Sequence, residues 1–317
     1  MHERMFVRAV AMALVGLTVT VAHADTITLD EALRRAAERP TVAMADAEVD
    51  AARAEASGAR RPLYNPELGL SVGPARGGGS FLLSGDVSLV QTIERGGKRA
   101  ARVDAADART RVASAQRQLE AATARLEARR AFELAQVWLE RVEVAREAER
   151  VAAEVADATA QTLAHGKGTQ LEVNLARAEL GRTKHDRLDA ESAYETALAA
   201  LATAIGARAS ERVEPAGDLA LSDALPWSED DFVALAQRNR PELAGVRAEL
   251  DLARAETRAT DAEAAADVTL GIDYGFSQDP DIDTHSILFS ASFPLLVRNR
   301  NQGARAASRV RARRAEI

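Results

Sequence analysis

Four short stretches of the chain alternate between apolar and polar or small residues, while most of what lies between them carries the three-to-four spacing of helices. In residues 268–276 the apolar positions are Val268, Leu270, Ile272, Tyr274 and Phe276, separated by Thr269, Gly271, Asp273 and Gly275. A period of two predicts a strand with one apolar and one wet face. The same alternation puts Leu68, Leu70 and Val72 on one face of residues 67–73, and Phe81, Leu83, Val87 and Leu89 on one face of residues 81–91. In residues 286–293 it does so for Ile287, Phe289, Ala291 and Phe293. The opposite faces carry Glu67, Gly69 and Ser71; Ser84, Asp86 and Ser88; Asp273; and Ser290 and Ser292. Gly/Pro-rich "PARGGGS" joins the first pair of strands and "SQDPDIDTH" the second, so both pairs read as hairpins with polar turns.

The strand pairs sit inside a duplicated plan. "LDEALRRAAERP" (residues 29–40) and "DDFVALAQRNRP" (230–241) each open on acidic residues and close on Arg-Pro, which predicts a short helix ended by proline. An Ala-rich amphipathic segment follows each (41–61 and 242–266), and then a strand pair, 67–91 and 267–293. Element order repeated about two hundred residues apart marks an internal duplication. The expected organisation is a leader at 1–24, a first repeat at 25–212, a linker at 213–227 containing Pro215, Gly217 and Pro226, and a second repeat at 228–317. The second repeat ends inside the rising helix of its own hairpin, so a truncated or fragmentary sequence is expected.

Between Lys98 and His165 there is neither Gly nor Pro, and about 68 helical residues would extend roughly 100 Å. Val144, Ala148, Val151, Val155 and Ala158 keep the 4,3,4,3 spacing of a coiled-coil seam, and Tyr194, Leu198, Leu201 and Ile205 keep it on the return. Between them, "AHGKGTQLEV" supplies Gly166 and Gly168 to break the helix and Thr169 to cap the next. The expectation is a long antiparallel helical hairpin with its tip near Gly166.

Composition narrows what this plan can do. The chain has 317 residues, 28% of them charged, with net charge -7 and 47% hydrophobic content but only 4% aromatic. Close, alanine-mediated helix packing suits those totals better than a bulky core. No concentrated basic face is evident, so nucleic acid is not an expected partner. Arg4 and Arg8 precede an apolar run that ends in Ala22-His23-Ala24, the form of a secretory signal. The run is too short to span a bilayer as a helix. No cysteine is present, so neither disulfides nor an N-terminal lipid-bearing cysteine is expected. A chain exported this way, with no apolar helix long enough to cross, can span a membrane only with strands. Four strands cannot close a barrel, since single-chain walls begin at about eight. Several chains must then share one barrel, with cyclic symmetry.

These residues resemble the TolC family of outer-membrane efflux channels. The resemblance covers essentially the whole mature chain: the duplicated plan, "FPLLVRNRNQGARAAS" after the fourth strand, and the turn "HGKGTQLEVNLARAEL". "QTIERGGKR" (91–99) is similar to the strand-to-helix junction of the heavy-metal, CzcC-like branch, which serves divalent-cation efflux. Apart from ancestry, Gly96 and Gly97 suit a sharp change from strand to helix, and Lys98 and Arg99 suit the wet edge of a membrane; Gln91 opens the motif.

The resemblance implies a mainly α fold with β: long helical hairpins plus four transmembrane strands contributed to a twelve-stranded barrel shared by a homotrimer in outer-membrane lipid. It further implies a periplasmic helical tunnel, a periplasmic membrane-fusion adaptor, and an inner-membrane RND-type proton-driven pump. Leu163, His165, Gly166, Lys167, Gly168, Thr169 and Leu171 match the family's adaptor-contacting tip. The family's aperture-closing acidic rings belong to the second hairpin, which this sequence does not contain.

Glu67, Asp86 and Asp273 are expected to face the lumen and favour cations. No catalytic constellation, cofactor motif or metal site is expected. Asp279, Asp281, Asp283 and His285 lack the central Gly and terminal Glu of a calcium loop and read as a solvated turn. His165 and His185 are expected to be surface residues with no ligand one helical turn away. The rival readings are a drug-efflux or type I secretion channel of the same family, a periplasmic adaptor, and a soluble coiled coil.

Overall fold

The computed structural model describes residues 25–77, 80–208, 210–217, 227–278 and 282–317. The expected leader, the middle of the first strand turn, most of the expected linker, and Asp279 and Asp281 lie outside the described residues. Two compact units are present: one combines the described residues up to Ala32 with Ala128–Leu219, the other Leu33–Glu127 with Ala220–Ile317. Each unit combines segments that are distant in sequence. The strands of both repeats hydrogen-bond in one sheet, so the second unit draws on each of them.

In the first unit, β1 (Asp25–Ile27) pairs in parallel with β4 (Val213–Pro215), so the stretch read as a linker contains a strand. The rest is the later part of α3 (Lys98–Ala164) and all of α4 (Gln170–Ala204). Ion pairs Arg146–Glu191, 3.1 Å, and Arg187–Glu149 join the two helices, the number on α4 falling as that on α3 rises, which makes them antiparallel. Leu198, Leu201 and Ile205 are buried, as the return seam predicts.

The outgoing seam is different. Val144 is 69% exposed, and Val151 and Val155 are exposed too, while Phe132, Ala135, Val142 and Ala156 are buried instead. Both stripes keep heptad spacing along α3. The inward stripe packs through Phe132 and Val142 with Ala135 and Ala156 between them, and the valine stripe stays outside.

The second unit holds α1 from Leu33 (α1, Leu29–Ala37), α2 (Pro40–Ala59), β2 (Glu67–Gly77), β3 (Ser80–Ile93) and the start of α3. From the second repeat it takes α5 (Glu229–Asn239), α6 (Pro241–Ala262), β5 (Val268–Ser277), β6 (Thr284–Ser292) and α7 (Gln302–Glu316). Each Arg-Pro step breaks a helix as expected, with the proline at the first position of the next. Ser228 and Asp231 close a reciprocal capping box on α5.

Alanines Ala105, Ala108 and Ala255 form a buried contact between α3 and α6, with Leu252 and Ala259 against it. α2 is tied to α3 by Arg60–Asp107, 2.9 Å, and Arg117–Asp46, 2.8 Å. α7 is tied to α6 by Arg305–Asp261, 2.5 Å. Among the described residues no helix is long and apolar enough to cross a membrane.

The sheet has the order β2-β3-β5-β6, all antiparallel, and β2 and β6 are its edges. The first pair is longer than the alternation predicts: the ladder runs on through Pro74 to Gly77 and ends at Ile93, so most of the expected loop is strand. Proline is admitted because β2 is an edge.

Candidate functional site

Three places on this scaffold carry the residues singled out by the sequence: the sheet faces, the strand-to-helix junction and the hairpin tip.

The ladder fixes the sheet faces. Leu68, Leu89, Ile272 and Phe289 lie side by side across all four strands, as do Leu70, Val87, Tyr274 and Ile287 one step along. None is covered: Tyr274 is 42% and Phe289 77% exposed, and the others of both rows are exposed as well. Leaving a large apolar side chain in water forfeits about 1.5–3 kcal/mol relative to burial, so two uncovered rows demand an apolar environment.

Ser71, Asp86 and Gly275 form a row on the opposite face, and Gly69, Ser88, Asp273 and Leu288 the next. Glu67, at the start of β2, belongs to that face, and Ser71 donates a hydrogen bond to the Asp86 carboxylate. The register puts Glu67, Asp86 and Asp273 on the same side of the sheet. Val90 and Leu288 are apolar residues on that face, and Gln91 and His285 are polar residues on the apolar face. His285 Nδ1 meets the Tyr274 hydroxyl at 2.8 Å, their rings stacked.

At the junction, Gly96 and Gly97 take positive φ of 70° and 73°, where a side chain is strained. A Cβ on Gly96 would also collide with Ala265, whereas one on Gly97 would meet nothing. Lys98 does not reach out to a wet boundary as expected. Its Nζ lies 2.8 Å from Asp267 Oδ1, with only 17% and 16% of the two side chains exposed. Asp267 also accepts from the Arg95 backbone N–H at 3.2 Å and the Tyr64 hydroxyl at 3.4 Å.

Next to this pair, the Arg102 guanidinium grips the Glu94 carboxylate through both nitrogens and donates to the carbonyl of Arg61, 3.1 Å. Glu94, 9% exposed at its side chain, also accepts from the Leu63 N–H at 3.3 Å. The Arg102 hydrogen bond outweighs burial and holds the Glu94 carboxyl below its ordinary pKa. For Asp267 burial is the largest influence and acts upward, but Lys98 and the Arg95 N–H together prevail and lower its pKa. Arg99 donates to the Arg60 carbonyl, and Gln91 Nε2 to the carbonyls of Thr92, 2.7 Å, and Tyr64, 3.2 Å.

At the tip, the Lys167 N–H bonds the Thr162 carbonyl at 3.0 Å and the Gly166 N–H that of Leu163 at 2.8 Å. With Gly166 at φ 71° this is a Schellman close. Thr169 Oγ1 accepts from the Glu172 N–H at 3.3 Å while Glu172 Oε2 accepts from the Thr169 N–H at 2.8 Å, a reciprocal cap that starts α4. His165 Nδ1 lies 2.7 Å from the Gln161 carbonyl. Lys167 and Leu171 are exposed, Leu163 and Gly168 half-buried. His185, contrary to expectation, has an acid one turn on, Asp189 at 3.4 Å, but both side chains stand in solvent. Among the described residues no group of acids and histidines could hold a metal ion.

Sequence reasoning missed Asp267, Glu94, Arg102 and Tyr64.

Residues 31–207 match the outer membrane efflux protein family, and the chain belongs to it. Its fold is that of solved outer-membrane channels. It is similar to the outer membrane protein VceC of Vibrio cholerae, with TM-score 0.68 at 20% identity over 90% of this chain and 73% of that one. Against the CmeC outer membrane channel of Campylobacter jejuni the TM-score is 0.69 at 14% identity, over 90% of this chain and 66% of the other. In sequence it is 27% identical over 244 residues to the cobalt-zinc-cadmium resistance protein CzcC of Cupriavidus metallidurans. That alignment takes in 77% of this chain and 56% of the relative, so the chain spans little more than half the relative's length.

Proposed function

We propose that the chain is the outer-membrane duct of a tripartite efflux system, conducting divalent metal cations passively from a pump in the inner membrane to the exterior. The observation that carries this reading is the sheet: one face of exposed large apolar side chains, the other of serines and three carboxylates, with both edge strands unpaired in the single chain. Hydrocarbon tolerates no open edge, and three copies of four strands would close a wall of twelve. The apolar rows then meet lipid and the acids line water. A soluble coiled coil or an adaptor would have to cover those rows with its own helices, and here they are bare.

The metal assignment rests on the CzcC likeness and on "QTIERGGKR"; the adaptor would dock on the tip from Leu163 to Leu171. The acids bias the lumen electrostatically toward cations without binding them, because coordination tight enough to hold an ion would slow its exit. In a planar bilayer, replacing Glu67, Asp86 and Asp273 together with lysine should turn cation preference into anion preference. Unchanged selectivity would remove these residues from the lumen.

A further inference from the structure

The end of the sheet from which the helices depart carries a feature that conduction does not use. Residues 61–66 enter β2 there, residues 94–97 leave β3, and residues 293–300 leave β6. Leu63, Ile93, Phe293, Leu295 and Val297 are exposed at this level. Among them stand Arg61, Arg95, Arg99, Arg298 and Arg300.

None of the five has a carboxylate partner among the described residues: Arg99 donates to the Arg60 carbonyl and Arg300 Nε to that of Leu296 at 2.9 Å. Of the nearby acids, Glu94 is engaged with Arg102, Asp267 with Lys98 and Glu263 with Asn301, while Glu67 at the start of β2 stands on the sheet face opposite the apolar rows. On the helical hairpin, by contrast, Arg146, Arg150, Arg182 and Arg187 each hold two carboxylates. A groove of about 690 Å³ opens at the first junction, with Arg61 and Arg99 beside Leu63, Tyr64 and Ile93.

We infer that this rim binds the headgroups of anionic glycerophospholipids, an inference that rests on the membrane reading above. Guanidinium forks match the phosphodiester, while Leu63, Tyr64 and Ile93 take the glycerol and the first carbons of the acyl chains, continuous with the apolar rows of the sheet. A free phosphate would engage the arginines but leave the apolar residues between them in water. A headgroup carrying acyl chains satisfies both, and unpaired cations beside a bilayer are attracted to its anionic lipids.

The absence of cysteine from the chain provides the test. A fluorophore on the single thiol of Leu63→Cys, in the full chain reconstituted into vesicles, is quenched by lipids brominated on their acyl chains. Brominated phosphatidylglycerol should quench more than brominated phosphatidylcholine at equal mole fraction, by a preference of about threefold or more that fades in about 1 M salt. Combining Arg61→Gln, Arg99→Gln and Arg298→Gln should bring the preference to about one, and the three corresponding lysine changes should keep most of it. Equal quenching by both lipids, or a preference that survives the glutamines, overturns this inference alone. No quenching by either lipid overturns the membrane reading and this inference with it.

Discussion

The helical hairpin has a buried apolar seam and the four-stranded sheet has none. In the hairpin the buried set is narrow, Phe132, Val142, Leu198 and Leu201 among alanines, and Arg146, Arg150, Arg182 and Arg187 are matched by acids of the same chain. In the sheet the large side chains are bare, and the charges that find partners are gathered at the junction end. The hairpin thus has a buried seam of its own beside an exposed valine stripe, whereas the sheet, with its apolar rows bare, takes its stability from what surrounds it. Deleting a contact should therefore unfold the one, while changing the solvent should unfold the other.

The sharpest break of this contrast is a pair of substitutions. Leu201→Ala removes a fully buried side chain and should cost about 2–5 kcal/mol in chemical denaturation followed by far-UV circular dichroism, with membrane fractionation unchanged. Ile272→Arg removes no buried contact, yet should cost about 2–4 kcal/mol against a bilayer and shift the protein out of the membrane fraction. If Ile272→Arg is harmless in lipid, the apolar rows do not face it.

A smaller effect separates the two junction glycines. Gly97→Ala meets only backbone strain and should cost about 1 kcal/mol, while Gly96→Ala adds the collision with Ala265 and should cost about 1–3 kcal/mol more in thermal melting. Equal costs would mean that the strand-to-helix turn has room to relax.

The smallest effect concerns acid. Glu94 and Asp267 have folded pKa values below their unfolded ones. Their contribution is present above the unfolded values, near pH 4, and is lost as pH falls through the folded ones. The melting temperature should drop on acidification below about pH 4, and Glu94→Gln with Asp267→Asn should flatten that drop while lowering stability at neutral pH. An unaltered acid limb would assign the loss to other carboxylates.

Much of this was readable from the order of residues. A period of two determines which residues share a face, so Glu67, Asp86 and Asp273 could be grouped before any ladder was known. The return seam was legible because Leu198, Leu201 and Ile205 form the one bulky stripe there. On α3 the same logic misled, since an alanine-rich helix offers two heptad stripes and the one read as the seam, Val144 to Val155, is not the one that packs. The β1–β4 pair is three residues long and leaves no periodicity. Lys98 and Asp267 meet across 169 positions, a pairing that local spacing does not encode.

The hairpin tip is closed by main-chain bonds and one threonine–glutamate exchange. The side chains of Lys167 and Leu171 are exposed and take no part in that closure. Exchanging them leaves the loop's geometry intact, so the surface presented there is free to diverge between relatives while the stalk beneath keeps its shape.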